Sequence, residues 1–232
     1  MIRNKILLLL FSFTLSYSYE IGETITMSHQ NMDFDICYSP ELDPNNDGVF
    51  NFSEYNGDLN GGQYYVIFLE MMATWWPSCY SSLSSFDNIV SNWSDNENVL
   101  VFQSLGDLNQ PYSCTPWGNM PTGGSSQLIE DTGYGIWDLF NLGSAFPSSA
   151  WVDHEMKVFA KMNGAGSWSI NSRIEDMLEN CGDLCSADSD GDEDGWNSDE
   201  DNCPSDYNPD QLDSDNDGLC DDTDPDIDND SV

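Results

Sequence analysis

One cysteine stands in a local sequence that would favour reactivity. Cys79 closes the segment Trp76-Pro77-Ser78-Cys79, which follows a short apolar run at Tyr64–Leu69. A run of this length, rich in aromatic and β-branched residues, predicts a strand buried on both faces. The apolar residues that follow recur every three or four positions, which predicts an amphipathic helix: Leu83, Phe86, Ile89, Val90 and Trp93. Cys79 is therefore expected near a helix N-terminus, where the macrodipole and free backbone N–H groups favour a thiolate.

The segment from Met72 to Cys79 resembles the active site of thioredoxin-like proteins, especially the TlpA-like thiol reductases. That family reads Phe-Trp-Ala-Thr-Trp-Cys-Pro-Pro-Cys, and this chain matches it at Ala73, Thr74, Trp75, Pro77 and Cys79. Trp76 stands where the family has its attacking cysteine, so only the second cysteine remains. The resemblance therefore implies the fold more strongly than the activity.

A second segment carries the same resemblance. Ala145–Asp153 resembles the thioredoxin signature in which a cis-proline, here Pro147, lies against the active-site cysteines and precedes a strand. The alternative is an ordinary trans proline in a turn. A cis X–Pro bond costs only about 0.5–1 kcal/mol over trans, so a fold can hold it.

The order of the remaining patterns also resembles thioredoxin. We predict strands at Val99–Leu105 and Met156–Met162 and a closing helix at Trp168–Leu178 with Trp168 on its apolar face. We also predict a helical stretch between Gln127 and Phe140 that is interrupted near Gly133 and Gly135. For residues 19–182 the resemblance implies an α/β, thioredoxin-like fold, with a central mixed sheet flanked by helices.

The composition changes at Asp183. Residues 183–232 contain 20 Asp or Glu and no Lys or Arg, with Asp on alternate positions and glycine at the turns. Asp-x-Asp-x-Asp-Gly occurs twice, separated by Asp201-Asn202-Cys203-Pro204 and Asn208-Pro209-Asp210-Gln211. Together these resemble thrombospondin type-3 repeats, which bind calcium. The alternative is a solvated, disordered acidic tail.

The resemblance implies two calcium loops in this irregular tail. The first would bind through Asp190, Asp192, Asp194, the Trp196 carbonyl, Ser198 and Asp201, and the second through Asp213, Asp215, Asp217, the Leu219 carbonyl, Asp221 and Asp224. Calcium takes six to eight oxygen ligands, and bound ions would supply most of the folding energy of a segment with almost no apolar core. Glu200 stands near the place of a further family cysteine, although Cys203 and Cys220 can still pair.

A third acidic segment lies near the start of the chain. Asp43–Glu54 fits an EF-hand-type calcium loop, with oxygen donors at Asp43, Asn45, Asp47 and Glu54 and the sharp turn at Gly48. The alternative is a hairpin loop, and the two can coexist.

Composition restricts the compartment and the partners. Residues 1–18 have the pattern of a secretory signal peptide, with a retained membrane anchor as the alternative, and no other stretch is apolar enough to cross a membrane. We therefore expect a secreted protein, extracellular or periplasmic, in which disulfides are permitted. Because there are seven cysteines, an odd number, at least one thiol must be free or form an intermolecular bond. A net charge of −37 argues against nucleic acid or anionic lipid and for cations as partners.

Two functions follow as expectations. The first is a secreted, thioredoxin-fold, calcium-binding protein without dithiol catalysis, whose further partner is a secreted or cell-surface protein. The alternative is an envelope or extracellular thiol–disulfide oxidoreductase that uses Cys79, with Cys114 as a distant resolving thiol. Whether the protein is an enzyme therefore stays open. A peroxidase is disfavoured, because Trp76 replaces the threonine that peroxiredoxin-like enzymes need.

Overall fold

The computed structural model describes most of the N-terminal domain and isolated parts of the acidic tail. The described residues are 18–39, 43, 45–120, 126–143, 145–164, 166–185, 194, 196, 201–203, 207–214, 220–221 and 227. Except for Ser18, the signal segment 1–18 lies outside them.

Five helices and seven strands form the described part of the domain. They are α1 Met27–Gln30, β1 Phe34–Tyr38, β2 Val49–Phe50, β3 Val66–Ala73, α2 Pro77–Trp93, β4 Val99–Asp107, α3 Cys114–Gly118, β5 Gln127–Glu130, α4 Gly135–Phe140, β6 Ser148–Val152, β7 Val158–Asn163 and α5 Ser167–Cys181. Short 3₁₀ turns occupy Phe52–Tyr55 and Gly182–Cys185.

The seven strands form one mixed sheet in the order β2-β1-β5-β4-β3-β6-β7. The central strand β3 runs parallel to β4 and antiparallel to β6, and all eight of its residues are buried. Side chains alternate along a strand, so β3 contributes to a core on each face of the sheet. The predicted α/β architecture, a central mixed sheet flanked by helices, is confirmed.

Each face of the sheet has its own core. Ile67, Leu69 and Met71 pack with the aromatic side chains of the N-terminal region and α4. Val66 and Phe68 face the opposite way and pack against α2 and α5. Helix α2 is therefore held over the carboxyl end of β3, which fixes the position of Cys79.

Several predicted elements differ in extent. The central strand extends to Ala73 and excludes Tyr64, because the turn at Asn60–Gln63 delays pairing until Val66. The helical stretch expected between Gln127 and Phe140, with an interruption near Gly133 and Gly135, is confirmed only for α4. Its first part was wrong, since Gln127–Glu130 pairs with β1 and β4 as a strand. Trp168 was expected on the apolar face of the closing helix but is 83% exposed, because it lies in the first turn beyond the edge of the core.

Three disulfides link six of the seven cysteines: Cys37–Cys114, Cys181–Cys185 and Cys203–Cys220. Cys79 is the one free cysteine of the described residues. Within those residues, no helix is long and apolar enough to span a membrane.

Candidate functional site

Cys79 lies in the first turn of α2 but is completely buried. Its exposed fraction is 0%, and it packs with Met72, Leu83, Leu105 and Trp117. The pKa of its thiol is raised to about 12, mainly by burial; a backbone hydrogen bond at Ala73 opposes the rise and the nearby Glu70 adds to it. The expectation that the helix N-terminus favours a thiolate was therefore wrong, because desolvation outweighs the helix dipole.

Glu70 is the side chain that sequence reasoning missed. It lies in the middle of β3, on the face toward α2, and is 3% exposed with Oε2 lacking a hydrogen-bond partner. Burial raises its pKa to about 8, so the carboxyl is largely protonated at neutral pH. Its signal in the sequence is a single acidic residue inside an otherwise apolar strand.

Glu70 belongs to a polar row that crosses the sheet. It is aligned with Gln103 on β4 and with Ser149 on β6. Gln103 Oε1 accepts a hydrogen bond of 3.0 Å from Trp117 Nε1, whereas Ser149 Oγ has no partner. The thiol of Cys79 therefore lies above a buried row of polar groups that includes an acid.

Trp76, by contrast, lies at the surface. It is the N-cap residue of α2, is 38% exposed, and its ring makes an edge contact with Trp75 at a centroid distance of 5.0 Å. Trp75 is 45% exposed and is held by a 2.6 Å hydrogen bond from its Nε1 to Asp107 Oδ2. The indole of Trp76 is therefore directed outward and does not fill the core.

These two tryptophans form one side of an aromatic surface. Tyr80, on the first turns of α2, stacks on Tyr112 at a centroid distance of 6.5 Å. Trp75, Trp76, Tyr80 and Tyr112 line a shallow groove with Pro111. We call the four aromatic side chains the aromatic surface.

Pro147 lies at the start of β6, and the Phe146–Pro147 peptide bond is cis. Phe146 packs against the apolar cluster that contains Cys79, so the chain brings this corner and the cysteine together. Cys114 lies in the same cluster, but its sulfur is bonded to Cys37. Cys114 therefore has no free thiol to act as a resolving group while that bond is intact.

Comparison with known proteins identifies the architecture. No protein-family model and no curated protein matches the sequence. Its structure is similar to PrxQ of Xylella fastidiosa, with a TM-score of 0.50 and 10% identity over 72% of this chain and 99% of that one. The fold is thioredoxin-like.

Two further structures are similar at lower scores. A putative DsbE thiol:disulfide interchange protein of Chlorobium tepidum gives a TM-score of 0.48 at 14% identity, over 71% of this chain and 100% of that one. A secreted disulfide oxidoreductase of Mycobacterium tuberculosis gives 0.43 at 9% identity, over 65% and 99%.

The tail that follows the thioredoxin-like domain is described in part. Of the predicted ligands, Asp190, Asp192, Ser198, Asp215, Asp217 and Asp224 lie outside the described residues, and Asp194, Asp201, Asp213 and Asp221 lie within them. Gln211 Nε2 donates to Asp194 Oδ2 at 3.3 Å and to Asp201 Oδ1 at 2.7 Å. This amide therefore contacts two of the carboxylates that were predicted to belong to the first calcium loop.

The N-terminal loop is described at all four of its predicted ligands. Asp43 is 3% exposed, whereas Asn45 and Asp47 are exposed and Glu54 is half-buried. Among the described residues of the whole chain, no three acidic, cysteine or histidine side chains already converge as a metal-binding group.

Proposed function

We propose that this chain is an exported, thioredoxin-like protein that binds calcium through its acidic tail and is not a dithiol catalyst. The observation that carries the second part is the contrast between the surface-exposed Trp76 and the fully buried Cys79. Three disulfides among the described residues support export, since such bonds persist mainly in oxidising compartments.

The state of Cys79 argues against nucleophilic catalysis. With a pKa of about 12, only about one thiol in 10⁵ is ionised at pH 7, and the thiolate is the attacking species. Its sulfur is also inaccessible to a protein disulfide. The aromatic surface instead resembles in composition the Trp- and Tyr-rich centres of protein interfaces, so its partner would be a secreted or cell-surface protein.

The calcium part is supported by the composition and by the described carboxylates. Asp201 Oδ2 is buried without a partner, while Asp201 Oδ1 accepts from Gln211 and from the Cys203 N–H. Carboxylate, amide and carbonyl oxygens are the ligands that calcium prefers. Residues 183–232 contain no basic side chain that could neutralise this charge.

Catalysis is tested by substitution at Trp76. The wild-type protein should reduce insulin with dithiothreitol no faster than Cys79→Ser does. Trp76→Cys would create a pair of cysteines at the start of α2 and should gain reductase activity, whereas Trp76→Ser, which removes the same indole, should not. A wild-type turnover that disappears in Cys79→Ser would overturn the non-catalytic proposal.

Calcium binding by the tail is tested by limited proteolysis. Calcium should protect residues 183–232 of the full chain, and the double variant Asp194→Asn, Asp201→Asn should lose that protection. Asp210→Asn is the matched control, because Asp210 is an exposed acid of the same region outside the predicted loops. Equal cleavage of the wild type in calcium and in chelator would refute the proposal.

A second candidate is thiol–disulfide exchange at Cys79, and Glu70 is the observation that favours it. Above a pH of about 8, where Glu70 is ionised, its carboxylate would accept the thiol proton, and the sulfur would attack a partner disulfide. One partner sulfur would then be bonded to Cys79 and the other released as a thiolate, with a small-molecule thiol needed to free the enzyme. Two of the similar structures are named as a thiol:disulfide interchange protein and a disulfide oxidoreductase, but at such low sequence identity the similarity concerns only the fold.

A further inference from the structure

The loop Asp43–Glu54 is separate from both the acidic tail and the surroundings of Cys79. It contains β2 and ends within the 3₁₀ turn Phe52–Tyr55, at the edge of the sheet. Phe50, Phe52 and Tyr55 in this region are buried, and the ring of Phe50 contacts that of Phe102 on β4 at a centroid distance of 4.6 Å. The loop is thus continuous with an aromatic corner of the core, formed by Phe50, Phe52 and Tyr55.

Two carboxylate oxygens in this loop are buried without a hydrogen-bond partner. They are Oδ1 of Asp43, a residue that is 3% exposed, and Oε2 of Glu54. The other oxygens are partnered: Asp43 Oδ2 accepts from the Gly48 N–H at 2.7 Å, and Glu54 Oε1 accepts from Asn51 Nδ2. A buried acceptor without a partner is costly, and a buried negative charge is more so.

Among the residues that the structure describes, no lysine or arginine forms an ion pair with Asp43 or Glu54. The one ion pair among the described residues is Lys157–Glu155, at the turn between β6 and β7. Burial raises the pKa of Glu54, the hydrogen bond at Asn51 opposes this, and the negative charges of Asp47 and Asp43 add to the rise. The three carboxylates are therefore close enough to repel one another.

Two further side chains of the loop carry oxygen atoms that could bind a cation, Asn45 and Asp47. Asn45 lies beside Glu54, with its Nδ2 donating to Glu54 Oε1 at 3.3 Å, and Asp47 Oδ1 accepts from the Val49 N–H at 2.8 Å. Gly48 has a φ of +80°, which turns the chain between these donors and the Val49 carbonyl. All the ligands are oxygens and no histidine or cysteine is near in sequence, a donor set that suits calcium and not zinc.

We infer that Asp43–Glu54 is a calcium site of the thioredoxin-like domain itself, independent of the tail, which holds the aromatic corner of Phe50, Phe52 and Tyr55 in the core. Asp43 and Glu54 would contribute the buried oxygens, with Glu54 at the twelfth loop position. Asp47 lies at the rim and its side chain would turn inward when the ion binds, because repulsion from the other two carboxylates is then removed.

The test is hydrogen exchange on the full chain, read from the peptide that covers residues 49–56. Calcium should slow exchange of this peptide in the wild type, and magnesium at the same concentration should not, because Mg²⁺ dehydrates reluctantly and requires near-octahedral geometry. At a calcium concentration 100 times the dissociation constant, the open population should fall about 100-fold.

Glu54→Gln is the decisive variant, because glutamine keeps the acceptor for Asn51 but removes the charge. It should lose the calcium effect on residues 49–56 and bind one ion fewer by equilibrium dialysis. In chelator it should be at least as stable as the wild type, since an uncompensated buried charge has gone. Asp35→Asn, an exposed acid on the adjacent strand β1, is the control and should behave as the wild type.

The outcomes separate a metal site from a structural turn. If Glu54→Gln lowers stability equally in calcium and in chelator, the loop is only a hairpin and the inference is wrong. Unchanged calcium stoichiometry in Glu54→Gln would also overturn it. The double variant Asp194→Asn, Asp201→Asn should retain the calcium effect on residues 49–56, so failure of the tail site and failure of the loop site are distinguishable.

Discussion

The buried acid Glu70 should make the stability of this domain fall as pH rises through neutrality. Its pKa is about 8 in the folded protein against an ordinary value of 4.5. Between those values the folded protein keeps the proton that the unfolded chain has released. Unfolding is therefore accompanied by loss of a proton and becomes more favourable as pH rises.

The size of the effect follows from the shift. Each unit of pKa difference corresponds to about 1.4 kcal/mol, so the full contribution is on the order of 5 kcal/mol and the part between pH 5.5 and 7.5 is roughly 2–3 kcal/mol. For a domain of this size, about 1 kcal/mol shifts the melting temperature by roughly 2–4 °C. Between pH 5.5 and 7.5, the titration of Glu70 should therefore lower the melting temperature by roughly 5–10 °C relative to a protein that lacks this group.

Glu70→Gln isolates this contribution, because glutamine has nearly the same shape and does not titrate. Melting temperatures of the wild type and the variant should be measured at pH 5.5, 6.5 and 7.5 with the same chelator present. The melting temperature of the variant should rise relative to that of the wild type as pH rises, since the other carboxylates titrate equally in both proteins. Ser149→Ala, which alters the same polar row without removing a titratable group, should give a constant difference. If the difference in melting temperature between Glu70→Gln and the wild type is the same at all three pH values, the assignment of a raised pKa to Glu70 is refuted.

Three further outcomes follow from the described contacts. In the native protein, Cys79 should react with a thiol reagent at neutral pH many-fold more slowly than in denaturant, measured by absorbance of the released thiolate. Replacing both Cys37 and Cys114 by serine opens a loop of 77 residues and should lower the free energy of unfolding by roughly 4 kcal/mol, measured by denaturant titration. Phe102→Ala should cost about 3–5 kcal/mol in the same assay, because this ring packs against Phe50 in the core.

The main elements of the fold could be predicted from the sequence because their signals are local. The run before Cys79 is continuously apolar and the helix after it repeats every three or four residues, so both were identified. Gln127–Glu130 was not recognised as a strand, because its burial comes from pairing with β1 and β4 on either side. Such long-range pairing leaves no periodic pattern in four residues.

The candidate site was harder to predict, because its chemistry depends on how deeply the side chains of Cys79 and Glu70 are buried below the protein surface. A position near a helix N-terminus is visible in the sequence and was read correctly for Cys79, which lies in the first turn of α2. Whether the sulfur is at the surface depends on how closely Leu83, Leu105 and Trp117 pack around it. The importance of Glu70 likewise appears only when β3 is placed beneath α2.

Two opposing energies at Cys79 explain why a cysteine near a helix N-terminus is nevertheless not expected to be a reactive thiolate. A helix terminus stabilises a nearby charge by about 0.3–1 kcal/mol, and by about 2 kcal/mol in favourable geometries. The rise in the thiol pKa from 9.0 to about 12 corresponds to roughly 4 kcal/mol in the opposite direction. Trp76 experiences the same helix terminus without that desolvation, since it is 38% exposed. A thiol placed there by Trp76→Cys should therefore ionise far more readily than Cys79, with Cys79 kept beneath it as the buried second cysteine. Under the proposal that the chain is not a dithiol catalyst, Trp76 at the surface is the side chain that prevents catalysis, and reductase activity in folded Trp76→Cys would support that attribution.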